Sequence, residues 1–333
     1  MDLPKHLNIV ALETFYTPVP PLTVPSPHTF TLTEYDRTTL AELPKRIKDA
    51  HVLITTVITL RAELLSVEAT PNLRLVAMVA SGVDSIDLDA CRARGIKVVN
   101  SPGCNVEAVA EHATALYFTL RRAVMPSMAA LRAGEWPQKR TLMMTAYING
   151  ASPRSCARET AVIIGYGGVG KKLESILSAL GMKVLVAARK GSDSVPPGRV
   201  SFDEALKIAT VVILCCPRAP ETLNLLSSAD FASMRPDALL INVARGGVVA
   251  EDALLEALEG GSIAGAGVDV FDTEPASAET SVLLRPETQR LNLVVTPHTA
   301  WVGMETTAHY QKVLQENIEG FLKGELVPER VKA

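Results

Sequence analysis

The stretch that most constrains the fold is TAVIIGYGGVGKKLESILSALGMKVLVAARKG, residues 160–191. It sets Gly165, Gly167 and Gly170 in the spacing GxGxxG, after an apolar strand-like run and at the head of a helical segment. That context predicts a dinucleotide-binding βαβ unit. The first glycine permits the tight turn, the second lets the backbone approach a pyrophosphate, and the third lets helix pack on strand. The helix N-terminus offers unbonded N–H groups to the phosphates, with Tyr166, Gly168 and Val169 completing the loop. The competing explanation is a glycine-rich turn without a ligand; the strand, the helix and a second strand at 183–188 together favour the dinucleotide site over it.

The rest of the chain repeats the alternation. Before the glycine loop, LNIVAL (7–12), HVLITTV (51–57), LRLVAMV (73–79) and IKVV (96–99) have the composition of strands buried on both faces, with helices expected at 40–50, 61–69 and 86–93. After it come TVVILCC (210–216), ALLINV (238–243), AGAGVDV (264–270) and LNLVVT (291–296), with helices at 168–180, 203–208, 228–233 and 251–259 and a last one near 303–322. Alternation of this kind implies parallel sheets with helical crossovers, so the expected class is α/β, in two series. Residues 105–133 predict one long helical stretch interrupted at Pro126, apolar over more of its circumference than a surface helix needs. TPVPPLTVPSPH (17–28) carries five prolines and is expected to be a stiff surface loop, structural or else the rim of a site.

Composition serves mainly to exclude. The 333 residues suffice for two domains, and a net charge of −3 gives no basic surplus for nucleic acid. MDLPKHLNIV lacks the apolar core of a signal peptide, and no apolar run reaches the ~18–20 residues of a membrane span. The five cysteines (91, 104, 156, 215, 216) show no CxxC spacing, which fits reduced thiols in the cytoplasm. Cys215 and Cys216 read as buried strand thiols, and no cluster has metal-ligand spacing.

In the NAD-type fingerprint an acid about 20 positions past the glycines binds the ribose hydroxyls. Here the residue 19 positions after Gly170 is Arg189, followed by Lys190. An acid would repel a 2′-phosphate, whereas a guanidinium holds it through charge-assisted bonds. The expectation is NADP(H) over NAD(H), against the plainer reading of two solvated cations at a strand end. Asp193 lies close by, within reach of the ribose in some loop conformations.

Three charges sit at strand ends, where open α/β sheets place their ligands. Arg245 follows ALLINV against two glycines, Glu274 precedes Pro275, and His298 follows LNLVVT. Together they suit hydride transfer to a 2-oxo acid. An arginine grips the carboxylate and polarises the ketone; a histidine, titrating near neutral pH, protonates the developing alkoxide; a glutamate orients the imidazole. Taken singly, each has a plain alternative: a strand-end cap, a solvated turn, a surface histidine. The remaining histidines (6, 28, 51, 112, 309) read as structural or solvated, His112 as a helix-packing residue.

SGVDSIDLDACRARGIKVVNSPGCN, VAEHA, GYGGVG, INVARGGVVAEDALLEAL, GAGVDVFDTEP and TPHTAW occur in this order between about residues 50 and 320. On them the chain resembles the D-isomer-specific 2-hydroxyacid dehydrogenase family, which includes glyoxylate/hydroxypyruvate reductases, phosphoglycerate dehydrogenases and D-lactate dehydrogenases. The resemblance implies two Rossmann/flavodoxin-like parallel-sheet domains separated by a cleft. A catalytic domain (1–103 plus 302–333) would be built from both chain ends. The cofactor domain (104–301) would carry a dimerisation helix and arm at about 105–150, making the protein a homodimer. It implies Arg245 as the substrate arginine, Glu274 as the orienting acid and His298 as the acid/base. Backbone N–H groups of Ser81, Gly82 and Val83 would receive the substrate carboxylate, and Asp269 would lie near the nicotinamide amide. Cys216, Pro217, Val243 and Ala244 are assigned to the cofactor, and Thr55 and Trp301 to the substrate pocket, with Thr56 and Val57 at the same strand end. Two positions depart from the family pattern: Gly168 lacks a side chain often found there, with Lys171 the candidate to compensate through space, and Val106 replaces a common threonine.

The implied activity is NADPH-dependent reduction of glyoxylate, hydroxypyruvate or a larger 2-oxo acid to the D-2-hydroxy acid. No second arginine is placed for a substrate phosphate, and no C-terminal regulatory domain is expected. Some relatives act as dinucleotide-binding corepressors, usually with disordered tails; VPERVKA soon follows the last helix here, which disfavours that alternative. Formate or phosphite oxidation is a third reading, and Glu274 counts against its formate form.

Overall fold

The computed structural model describes residues 3–148 and 150–333. Met1 and Asp2, in the stretch read above as lacking a signal, and Asn149, near the end of the expected arm, lie outside the described residues. The chain divides into two units, Met1–Asn105 with Gly303–Ala333, and Val106–Val302.

The first unit holds β1 (His6–Ala11), β2 (Thr29–Glu34), β3 (Val52–Thr55), β4 (Leu75–Met78) and β5 (Lys97–Val99) in one sheet of order β2-β1-β3-β4-β5. All neighbouring pairs are parallel. β3 and β4 are buried at every position, as strands covered by helices on both faces must be. The strand order reverses direction between β1 and β3, so the loops leaving their C-terminal ends diverge there.

Two features of this unit differ from expectation. β2, TFTLTE, was not anticipated. It is a largely exposed edge strand, formed by β-branched threonines rather than by an apolar run. Residues 61–69 form successive turns instead of a helix. Ser66 Oγ accepts the Ala69 N–H at 3.2 Å, a local side-chain bond that competes with helical bonding, and Pro71 stops any continuation. The proline-rich loop is docked on the helix Met304–Lys323: Gln315 exchanges hydrogen bonds with the Thr23 backbone at 3.0 and 3.1 Å, and Gln311 donates to Pro18 O at 2.9 Å.

The second unit contains β6 (Thr160–Ile164), β7 (Lys183–Val186), β8 (Val211–Leu214), β9 (Leu239–Asn242), β10 (Gly265–Val268) and β11 (Leu293–Val295). They form a parallel sheet of order β11-β10-β9-β8-β6-β7. A further outer strand is reduced to one parallel bridge, Ala187 to Val200. Leu116, Tyr117, Leu173 and Leu177 fill one face of the sheet, and Phe202, Phe231 and Leu254 the other. Gly267 lets the helix Val106–Arg121 lie directly on β10, because a Cβ there would stand 3.1 Å from Leu116 Cβ.

The expected break at Pro126 falls elsewhere. The first helix ends at Arg121, and Ala123, at φ 46°, starts a second, Val124–Arg132. Pro126 is the third residue of that helix, where its missing N–H has no intrahelical acceptor to serve. At the end of the first helix, Arg121 and Glu159 form a buried ion pair with side-chain exposures of 4% and 0%. Arg121 Nε stands 2.6 Å from Glu159 Oε1, out of line for a hydrogen bond, while its Nη2 donates to Oε2 at 3.2 Å. Arg121 also donates to Asp237 O and Thr210 O, and Tyr117 donates to Glu159.

Candidate active site

The glycine loop joins β6 to the helix Gly168–Ala179. Gly165 adopts φ +98°, and a Cβ there would lie 2.5 Å from Cys216 N. A Cβ on Gly170 would lie 2.3 Å from Gly165 O. Both glycines are therefore required by backbone packing. Gly167 is different: nothing lies within 4 Å of a Cβ built on it, at the N-terminus of the helix. That open cradle of unbonded amides fits a pyrophosphate. The two departures from the family pattern prove to be neighbours, since a Cβ on Gly168 would meet Val106 Cγ2 at 2.9 Å. Lys171 is exposed on the helix, and Lys172 pairs with Glu107.

At the adenosine end the structure separates the two cations. Arg189 is exposed beyond β7. Lys190 is not available as its partner: its ammonium bonds Asp230 Oδ1 and Oδ2 at 2.6 and 2.7 Å and Leu225 O at 2.8 Å. Burial alone would raise the Asp230 carboxyl, but the bonds from Lys190 and Ser227 hold it below the ordinary range. Lys190 is thus corrected from phosphate clamp to structural pair. A cation the sequence did not single out lies nearby. Arg199 Nη1 is 3.4 Å from Ala187 O, and its guanidinium stands 5.7 Å from the centre of the Tyr166 ring in the glycine loop. Tyr166 donates its hydroxyl to Glu174.

Cys216, Val243 and Ala244 are buried and Pro217 is exposed. Burial raises both strand thiols, Cys215 to about 12, so neither is a poised nucleophile.

The acid-base set is assembled by the loops after β9, β10 and β11. Past β9, the buried Asn242 side chain accepts from Ala244 N at 3.1 Å and donates to Arg245 O at 3.3 Å, turning the chain. Gly246 follows, and a Cβ on it would fall 1.7 Å from Phe271 O. Only glycine lets the Arg245 turn lie against the segment carrying Glu274. Gly247 N donates to Asp272 Oδ1 at 2.6 Å, tying the two loops together.

His298 Nδ1 and Glu274 Oε2 are 2.6 Å apart, and Glu274 Oε1 accepts the Phe271 N–H at 2.9 Å. Burial would push the Glu274 carboxyl up, yet the hydrogen bond and charge of His298, the Phe271 N–H and the Arg245 charge together hold it below the usual glutamate range. The acid is therefore ionised at neutral pH, and its bond fixes the imidazole ring. His298 itself has φ 54°, an unusual conformation for a side chain of this size. Its N–H donates to Asp269 O at 2.8 Å and Thr296 O at 3.0 Å.

Asp269 is the anchor of that loop. Only 1% exposed, it accepts from Thr296 Oγ1 (2.6 Å), Thr299 N (2.9 Å) and Ala300 N (3.0 Å). His112 Nε2 lies 3.0 Å from Thr296 Oγ1 and 3.7 Å from Asp269 Oδ1, so this histidine joins the same network rather than merely packing a helix. Trp301 is half-buried against the helix-side core of the second unit.

In the first unit, Ser81, Gly82 and Val83 are half-exposed in the loop after β4. Ser81 Oγ donates to Asn105 Oδ1 at 3.1 Å, and Asn100 Nδ2 donates to Ser81 O at 2.6 Å. Thr55 does not face a ligand: it is 1% exposed and gives its hydroxyl to Glu13 at 2.8 Å. Val57, two residues on, is the exposed side chain of that loop.

Residues 114–300 match the family described as D-isomer specific 2-hydroxyacid dehydrogenase, NAD binding domain. The chain is similar to a glycerate dehydrogenase of Methylorubrum extorquens, 36% identical over 87% of this chain and 89% of the relative. It is also similar to a glyoxylate reductase of Thermococcus litoralis, 31% identical over 87% and 86%. Among solved structures, it resembles an NADPH-dependent glyoxylate/hydroxypyruvate reductase of Sinorhizobium meliloti in complex with NADP and malonate, with a TM-score of 0.71 and 25% identity over 95% of this chain and 93% of that one.

Proposed function

Because the chain belongs to the D-isomer-specific 2-hydroxyacid dehydrogenase family, we propose that it is an NADPH-dependent reductase of small 2-oxo acids. Membership makes it an NAD(P)-dependent oxidoreductase acting on CH–OH donors. The single observation that carries the reading further is the 2.6 Å contact of His298 Nδ1 with an ionised Glu274. It reserves the other ring nitrogen of a 40% exposed imidazole for a substrate oxygen.

A nicotinamide dinucleotide held by the glycine loop would supply the hydride. His298 delivers a proton to the oxygen that becomes the hydroxyl, and Glu274 keeps the ring oriented and balances its charge. Arg245 holds the carboxylate by paired hydrogen bonds and polarises the ketone. Trp301 walls the pocket. Asp269 acts by fixing the loop that carries His298. Glyoxylate and hydroxypyruvate are the first substrates to try, since similar proteins carry those names. The test is a panel of 2-oxo acids assayed with NADPH and NADH; no turnover of any of them would refute the reading. The corepressor alternative draws no support from these relatives, which are named for enzymatic activities.

Arg189 and Arg199, rather than Lys190, are the proposed contacts of the 2′-phosphate. Arg189→Asp is expected to reduce kcat/KM with NADPH on the order of 10- to 100-fold, the range of one charged hydrogen bond, and to raise it with NADH. Arg199→Ala should weaken binding of 2′,5′-ADP in calorimetry more than binding of 5′-AMP. A wild-type preference for NADH would refute the assignment.

The protein is also proposed to be a homodimer. Met125, Met128, Leu131, Trp136, Met143 and Met144 are exposed along the helices after Ala123 and the turn that follows, a concentration of large apolar side chains at the surface of the kind that marks interaction sites. Light scattering should give twice the chain mass, and Met128→Glu combined with Trp136→Glu should give a monomer. A wild-type monomer at micromolar concentration would count against it.

A further inference from the structure

Glu13 is a buried carboxylate that the proposed chemistry does not use. It lies two residues past β1 and is 7% exposed. Its Oε2 accepts four donors from one short loop: Thr55 Oγ1 (2.8 Å), Thr56 N (2.8 Å), Val57 N (3.1 Å) and Ile58 N (3.3 Å). Three successive amides pointing at one spot form a concave nest of positive partial charge. Four donors converging on one carboxyl oxygen favour the ionised acid electrostatically, since charge-assisted bonds are stronger than neutral ones. The two segments joined in this way leave β1 and β3, the adjacent strands between which the sheet order reverses. In open parallel sheets, that point is where ligands bind. The loop so fixed presents one side chain outward, Val57, at 54% exposure.

We propose that Glu13 is a positioning residue for substrate selection: it locks residues 55–58 so that Val57 forms a fixed apolar wall against the substituent of the 2-oxo acid. The proposal rests on the reductase reading. Glu13 touches no substrate; it acts through the backbone it holds.

Glu13→Gln and Glu13→Asp test it with two readouts. Hydrogen exchange at the amides of 56–58 needs no activity, and should speed up in Glu13→Gln and recover partly in Glu13→Asp, which keeps the charge. In kinetics, Glu13→Gln should raise KM for the 2-oxo acid about tenfold, the scale of one charge-assisted bond, with KM for NADPH unchanged. The ratio of kcat/KM for glyoxylate to that for a branched 2-oxo acid should shift as well. A merely structural role would lower the active fraction and leave KM and that ratio alone, and this result overturns the proposal. Unchanged exchange overturns it too. If Glu13→Gln does not fold, the same two readouts on Glu13→Asp decide, since the shorter acid must loosen the loop and move the ratio. A wild type inactive on every 2-oxo acid refutes the reductase reading and the selection role with it, while exchange alone decides whether Glu13 holds the loop.

Discussion

His298→Gln is expected to lower kcat for 2-oxo acid reduction by roughly 10²–10⁴-fold, the usual contribution of a positioned general acid. Binding of the dinucleotide should be unaffected, because the glycine loop and the Arg189 region belong to other segments of the second unit. Glu274→Gln should give a smaller loss with a changed pH profile, because the amide can still hydrogen-bond the ring but no longer balances its charge. Direction of reaction supplies an independent check. Reduction consumes the protonated imidazole and oxidation the neutral one, so the oxidation optimum should lie at higher pH. The depressed Glu274 carboxyl keeps the pair intact down to acidic pH, and activity should fall away as pH drops through that lowered value. Superimposable pH profiles in the two directions, with chemistry rate-limiting, would remove His298 from the role.

The largest stability loss is expected from Glu159→Leu. This change leaves Arg121 buried without its partner, and breaking a buried pair on one side costs ~3–5 kcal/mol. Urea unfolding should show the midpoint moved well down. Arg121→Met combined with Glu159→Leu should recover much of the loss, because two apolar side chains no longer strand a charge. If the double replacement is as unstable as the single, the pair contributes through its bonds to Asp237 O and Thr210 O rather than through charge balance.

The contrast between Gly167 and Lys190 shows where sequence suffices. GxGxxG is local, and its meaning depends on a turn, a helix start and a strand that lie within the same stretch of chain. Lys190 has the right address for a phosphate contact, but its real partner, Asp230, is 40 residues away in sequence. Thr55 fails for the same reason, being claimed by Glu13 from 42 residues upstream. Arg199, proposed above for the 2′-phosphate, was not singled out because the bridge from Ala187 to Val200 that brings it to the end of β7 is a single pairing, too short to leave a strand pattern. β2 was missed because an exposed edge strand needs no apolar run. By contrast, the meeting of His298 with Glu274 was legible: both lie in loops that follow parallel strands, and the ends of parallel strands share one edge of the sheet. Asn242, Asp272 and Thr296, which hold the loops of the acid-base set, looked like ordinary polar turn residues.

The contact between Gly168 and Val106 couples two positions 62 residues apart, because a Cβ built on the glycine meets Val106 Cγ2 at 2.9 Å. A side chain at 168 has to displace a valine methyl group, and a smaller residue at 106 would leave space beside a bare glycine. Threonine has nearly the shape of valine, so the family's common residue at 106 would meet a Cβ at 168 as closely as Val106 does, and only a smaller residue there makes room for it. A side chain placed at 168 should therefore cost less stability in a Val106→Ala background than in the wild type, read as the shift in the unfolding midpoint.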